Sequence, residues 1–125
     1  MATDPAPEHT ILICTKCRGV EAAAAMRGAL TEDLPLGFGF RAVNCMAGCD
    51  HPIAVGLQAH GKATYLFGPI DDDDAVAAIG EFAHQYQQSG DGWTSATDRP
   101  AALYEKTLAR LPGLRFDAQG KGEAL

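Results

Sequence analysis

No stretch of the 125 residues approaches the apolar length needed to cross a membrane. Basic charge is thin as well. Six arginines and four lysines are scattered along the chain without a basic stripe, which argues against nucleic-acid binding. The opening Met1-Ala2-Thr3-Asp4-Pro5-Ala6-Pro7-Glu8 has neither a basic segment nor an apolar one, so it reads as a loose arm and not as an export signal. No internal repeat is visible. These absences lead to the expectation of a cytoplasmic protein. In that reducing compartment, paired cysteines bind metal or do redox work more often than they form structural disulfides.

Acidic residues outnumber basic ones, for a formal net charge of −6. That surface is compatible with docking a basic protein partner, and equally with solubility alone. With 46% hydrophobic residues and 7% aromatics, the chain has material for one modest core. The expected organisation is an N-terminal arm over 1–9, a compact domain over 10–90, and a C-terminal helical extension and tail over 91–125.

Cysteine is also scarce, and its distribution is informative. All four cysteines fall into two tight pairs, Cys14-Thr15-Lys16-Cys17 and Cys45-Met46-Ala47-Gly48-Cys49. Each pair follows a short apolar run, Thr10-Ile11-Leu12-Ile13 and Phe40-Arg41-Ala42-Val43. Four thiolates in two clips suit one tetrahedral-sulfur site, whether an iron–sulfur cluster or zinc.

The pattern of elements brings the clips together. Residues 10–13 predict a strand. Glu21 to Leu30 predicts a helix with Ala22, Met26, Ala29 and Leu30 on one face, and Leu34-Pro35-Leu36-Gly37 ends it. Gly39 to Asn44 predicts a second strand. Strand, helix, strand is a βαβ unit with parallel strands, so both clips leave the same sheet edge. Ile53 to Leu57 and Thr64 to Phe67 then form a hairpin through His60-Gly61-Lys62, which Pro69 closes. Asp71 to Asp74 offers cap and first-turn acids to a helix carrying Val76, Ile79, Phe82, Ala83 and Tyr86, which Ser89-Gly90 ends. Trp93 is expected to anchor the tail. A last helix is expected from Pro100 through Tyr104, Leu108 and Leu111 to Pro112-Gly113. The order β-α-β-β-β-α predicts an α/β, thioredoxin-like domain with a C-terminal helical extension.

The chemistry divides three ways. Such a domain has its own core and does not need metal to fold. A three-residue gap containing Gly48 lets backbone N–H groups wrap cluster sulfurs, and Lys16 and Arg18 would offset cluster charge. Structural zinc is the second reading. The third is a thiol oxidoreductase, in which a helix N-terminus with Lys16 and Arg18 favours the Cys14 thiolate. Nothing in the sequence suggests the cis-proline loop such enzymes use, and Cys45 and Cys49 would be left without a role. Cys49-Asp50-His51 has a Rieske-like spacing, but Cys17 has no matching histidine. His51 therefore reads as a turn residue before Pro52, His60 and His84 as solvated, and His9 as part of the arm.

The chain resembles the thioredoxin-like 2Fe–2S ferredoxins. It is most similar to a group of small bacterial proteins labelled predicted metal-binding and often associated with cobalamin-biosynthesis genes. The resemblance rests on Cys14-Thr15-Lys16-Cys17-Arg18, Asn44-Cys45-Met46-Ala47-Gly48-Cys49, Gly68-Pro69, Arg99-Pro100 and Ala109-Arg110-Leu111-Pro112. It implies an electron-transfer protein, not an enzyme, with a 2Fe–2S cluster on Cys14, Cys17, Cys45 and Cys49. A redox donor and acceptor protein are then the expected partners, reached through the acidic surface around Asp71 to Asp74, and homodimer formation stays open.

Overall fold

The computed structural model describes residues 9–16, 18–44, 53–95 and 97–113. Its elements are β1 (His9–Cys14), α1 (Gly19–Thr31), β2 (Phe38–Val43), β3 (Val55–Ala59), β4 (Thr64–Phe67), α2 (Asp73–Gln88), a 3₁₀ turn over Ala101–Leu103 and β5 (Thr107–Leu111). The strands form one mixed sheet in the order β2-β1-β3-β4-β5. β1 and β2 run parallel and the other pairs antiparallel. Up to α2 the order is the β-α-β-β-β-α expected of a small thioredoxin-like α/β protein.

Alternation along the strands decides what is buried. Ile11 and Ile13 of β1, Val55 and Leu57 of β3, and Tyr65 and Phe67 of β4 share one core cluster with Ala23, Met26 and Leu30 of α1 and Ile79, Phe82 and Tyr86 of α2. α1 and α2 also touch one another, so both helices cover one face of the sheet. Phe82 meets Tyr65 and Phe67 edge-to-face, with Tyr65–Phe82 centroids 4.8 Å apart, while the Tyr65 and Phe67 rings lie parallel to one another. In α1 the buried positions are Ala23, Met26 and Leu30. Ala29, expected on that face, is exposed. Ala23, Met26 and Leu30 follow the three- and four-residue spacing of one helix face, and Ala29 falls off it.

α2 also fixes the loop that leads into β2. Gly80 allows Asp33 to approach so closely that an added Cβ would lie 2.6 Å from the Asp33 Cβ. His84 Nε2 lies 3.2 Å from the Asp33 carbonyl oxygen, and Gln87 Nε2 donates to the Leu36 carbonyl at 2.6 Å. His84, expected to be solvated, is exposed but also makes this contact.

Among the described residues, the helix expected from Pro100 to Pro112-Gly113 does not form. Only Ala101–Leu103 is helical, as a single 3₁₀ turn, and Thr107–Leu111 is instead the edge strand β5 beside β4. The spacing of Tyr104, Leu108 and Leu111 mimics a helix, but the edge of β4 supplies backbone partners that a short, Pro-bounded segment cannot make alone. Residues 91–113 thus belong partly to the sheet of the main domain. Trp93 is 46% exposed and lies against the Arg110 guanidinium, 3.7 Å from the ring centroid. Backbone and Tyr65 hydrogen bonds fasten this segment more directly. Tyr65 Oη donates to Gly92 O at 2.8 Å and accepts from Thr94 N at 2.9 Å, while Ala63 N donates to Asp91 O at 2.7 Å.

His9 is the other departure, as a buried first residue of β1 and not part of an arm. The Lys62 ammonium donates to His9 Nε2 at 2.8 Å and to the Tyr86 and Gln87 carbonyls at 2.9 and 3.1 Å. One lysine from the β3–β4 turn therefore joins β1 to the C-terminal end of α2, where a cation also suits the helix dipole.

Candidate metal centre

The edge of the sheet at the C-terminal end of β1 is assembled from several elements. Cys14 ends β1, 1% exposed, with Val43 as its partner in β2. Thr15 continues past the strand, donating its backbone N–H to the Val43 carbonyl at 2.9 Å and its hydroxyl to the same oxygen at 3.3 Å. On the other side of β1, the Cys14 N–H donates to the Ala54 carbonyl at 3.1 Å. The chain therefore leaves β2 on one flank of Cys14 and returns toward β3 on the other. The second cysteine clip lies in the sequence between those flanks.

The turn beyond β4 comes to the same edge. Ile70 N donates to Ile53 O at 3.0 Å, and Gly68 N to Lys106 O at 2.9 Å. Lys106 Nζ donates to Pro69 O at 2.9 Å and lies 3.8 Å from Asp71 Oδ1. The Gly68–Pro69 peptide bond is cis, although the sequence suggested no cis-proline loop.

Both helices start here. α1 opens at Gly19, whose φ of 90° lies in the left-handed region that glycine adopts readily. Arg18, at its N-cap, provides no side-chain cap. α2 supplies its own acceptor, with Asp72 Oδ1 taking the Ala75 N–H at 2.7 Å, and Asp73 and Asp74 occupy its first turn. The capping role expected for this acidic run is thus realised. Arg18 and Asp71 to Asp73 line one shallow groove of about 290 Å³ between the two helix starts. Lys16 and Arg18 are both exposed.

Of the four proposed ligands, only Cys14 belongs to the described residues. Cys17, Cys45 and Cys49, like His51, lie outside them. Among the described residues no three His, Cys, Asp or Glu side chains form a metal-sized group, and no helix is long and apolar enough to cross a membrane. The βαβ pattern in the sequence predicts both clips at one edge, and β1 and β2 are parallel neighbours. The role of Ala54 is not legible there, because it depends on β3 pairing with the other side of β1. The only sequence signal for that pairing was the hairpin itself.

The described residues define a small α/β protein of thioredoxin-like type. The chain belongs to the family described as Protein of unknown function (DUF1636), whose model matches residues 11–113. No curated protein and no solved structure matches it.

Proposed function

We propose that the protein is a small electron carrier that holds a 2Fe–2S cluster through Cys14, Cys17, Cys45 and Cys49. The observation carrying this reading is the position of Cys14 between Val43 and Ala54. The residues that bear the second clip start and finish on the two flanks of the first. A buried sulfur at a strand end is a suitable donor for such a group.

When bound, the cluster takes up and releases one electron. The chain's part is to hold and tune it. The uncapped first turn of α1 directs its backbone N–H groups toward this edge, which favours thiolate sulfur. The exposed Lys16 and Arg18 add positive charge nearby. Burial of Cys14 favours a ligand over an attacking nucleophile, since reactive thiols need access. Docking would use the acidic start of α2, with Asp71 to Asp74 exposed around the same edge.

The test is the absorption spectrum of anaerobically purified protein together with its iron and acid-labile sulfide content. Two irons and two sulfides per chain are expected for a 2Fe–2S centre. Stoichiometric zinc without sulfide would replace the carrier with a structural zinc module. Metal-free protein that turns over a disulfide would make it a thiol oxidoreductase.

A further inference from the structure

The sheet face away from the helices carries a row of polar side chains. Thr10 of β1 pairs with Gln58 of β3, and Thr64 of β4 follows one position beyond the Tyr65–Leu57 pair, which places it beside Gln58. Strand alternation puts all three on the same face as Leu12 and Leu66. Arg41, the partner of Leu12 on β2, joins them from one side, and His60 joins them from the hairpin turn. Together these residues line a cavity of about 410 Å³.

Two features separate this cavity from ordinary polar surface. In a chain of net charge −6, none of its lining residues is an aspartate or glutamate. Moreover, the side chains of Thr10, Arg41, Gln58, His60 and Thr64 make no hydrogen bond to any described residue, although Thr10, Gln58 and Thr64 are half-buried. Their polar atoms keep solvent access and so stay open to a ligand. Lys62 also lines the cavity, but its ammonium is committed to His9, Tyr86 and Gln87. Among the described residues that line it, the cation left to this cavity is therefore the Arg41 guanidinium, whose fork matches a carboxylate or a phosphate.

We propose that this cavity binds a small polar metabolite through an oxyanion group. Arg41 takes the anion, and the Thr10–Gln58–Thr64 row hydrogen-bonds the polar body. The volume lies within the range of small-molecule sites. The polar row lies toward the other end of β1 from the cysteine edge: Thr10 and Cys14 are four residues apart, roughly 13 Å, and Arg41 stands between them as the partner of Leu12. The inference stands whichever metal, if any, the cysteines hold.

The experiment is a ¹⁵N NMR titration of the full chain at constant ionic strength, with inorganic phosphate and, separately, citrate. Saturable shifts are expected at the amides of Thr10, Arg41, Gln58 and Thr64 with at least one anion. Saturation by phosphate alone identifies a phosphoryl group, and saturation by citrate alone a carboxylate. Arg41→Gln should weaken binding by about tenfold or more, the loss expected for a charge-assisted hydrogen bond. Arg27→Gln, on the Phe40 ring, should leave it unchanged. Gln58→Leu gives a second reading should Arg41→Gln fold poorly. Shifts that never saturate with either anion, or equal affinity in the Arg41 and Gln58 variants, would overturn the proposal.

Discussion

Cys14 donates its backbone N–H to the Ala54 carbonyl at 3.1 Å, and one residue later Thr15 donates to Val43 at 2.9 Å. These bonds fix the end of β1 between the two strands that flank the second cysteine clip. The arrangement is local enough to test by substitution and specific enough to separate cluster binding from thiol chemistry.

Each of Cys14→Ser, Cys17→Ser, Cys45→Ser and Cys49→Ser should lose most of the bound iron and sulfide, by similar amounts. A shared four-thiolate site needs every ligand. Metal analysis of the four purified variants decides this. Full metal content in Cys45→Ser and Cys49→Ser alongside loss in Cys14→Ser would remove the second clip from the site.

Charge at the start of α2 has two separable roles. Asp72→Ala should cost about 1 kcal/mol through loss of the cap to Ala75, whereas Asp72→Asn should keep most of that stability. The double change of Asp72 and Asp73 to Asn then removes charge with the cap retained. Electron transfer to a basic partner should slow and lose part of its salt dependence. An unchanged rate and salt profile would leave these acids a capping role only.

Burial, reinforced by the nearby Tyr65, pushes the Tyr86 phenol well above its ordinary range. Its neutral form is therefore favoured by folding, and above about pH 10 the unfolded chain ionises first. Stability from this group is intact below that pH and falls as the pH climbs between the unfolded and folded pKa values. Tyr86→Phe should lose about 1 kcal/mol near neutrality with its bond to the Ala63 carbonyl, but should decline less steeply in alkali. Urea midpoints across the alkaline range measure both effects.

Two glycines should respond in opposite directions. Gly92 has a φ of 72°, and an added Cβ would sit 2.7 Å from Tyr86 Cε1, so Gly92→Ala should destabilise by about 1–3 kcal/mol. Gly28 lies inside α1 with open space around its Cβ position, so Gly28→Ala should stabilise by about 0.5–1 kcal/mol. Thermal melts of the two variants provide the comparison. A stabilising Gly92→Ala would contradict the packing of residues 91–95 on Tyr86.

The sequence alone specified the order of elements through α2, because each rests on a short-range signal. Short apolar runs marked β1 and β2, Gly61 marked the hairpin turn, and Asp71 to Asp74 with the spacing of Ile79, Phe82 and Tyr86 marked α2. It also determined that the two cysteine clips follow neighbouring parallel strands, since βαβ connectivity is a local rule. Tertiary structure decided what depended on a distant partner. Thr107–Leu111 became a strand because β4 offered it an edge, against a spacing that favoured a helix. His9 became core because Lys62, 53 residues away, reaches its ring. Likewise, Ala54 came to flank Cys14, and Gln58 came to stand between Thr10 and Thr64, only when β3 paired with β1 and β4. Local propensity specifies which segments extend or coil. Hydrogen-bond partners and burial across a sheet come from residues far apart in the chain, and no single segment encodes them.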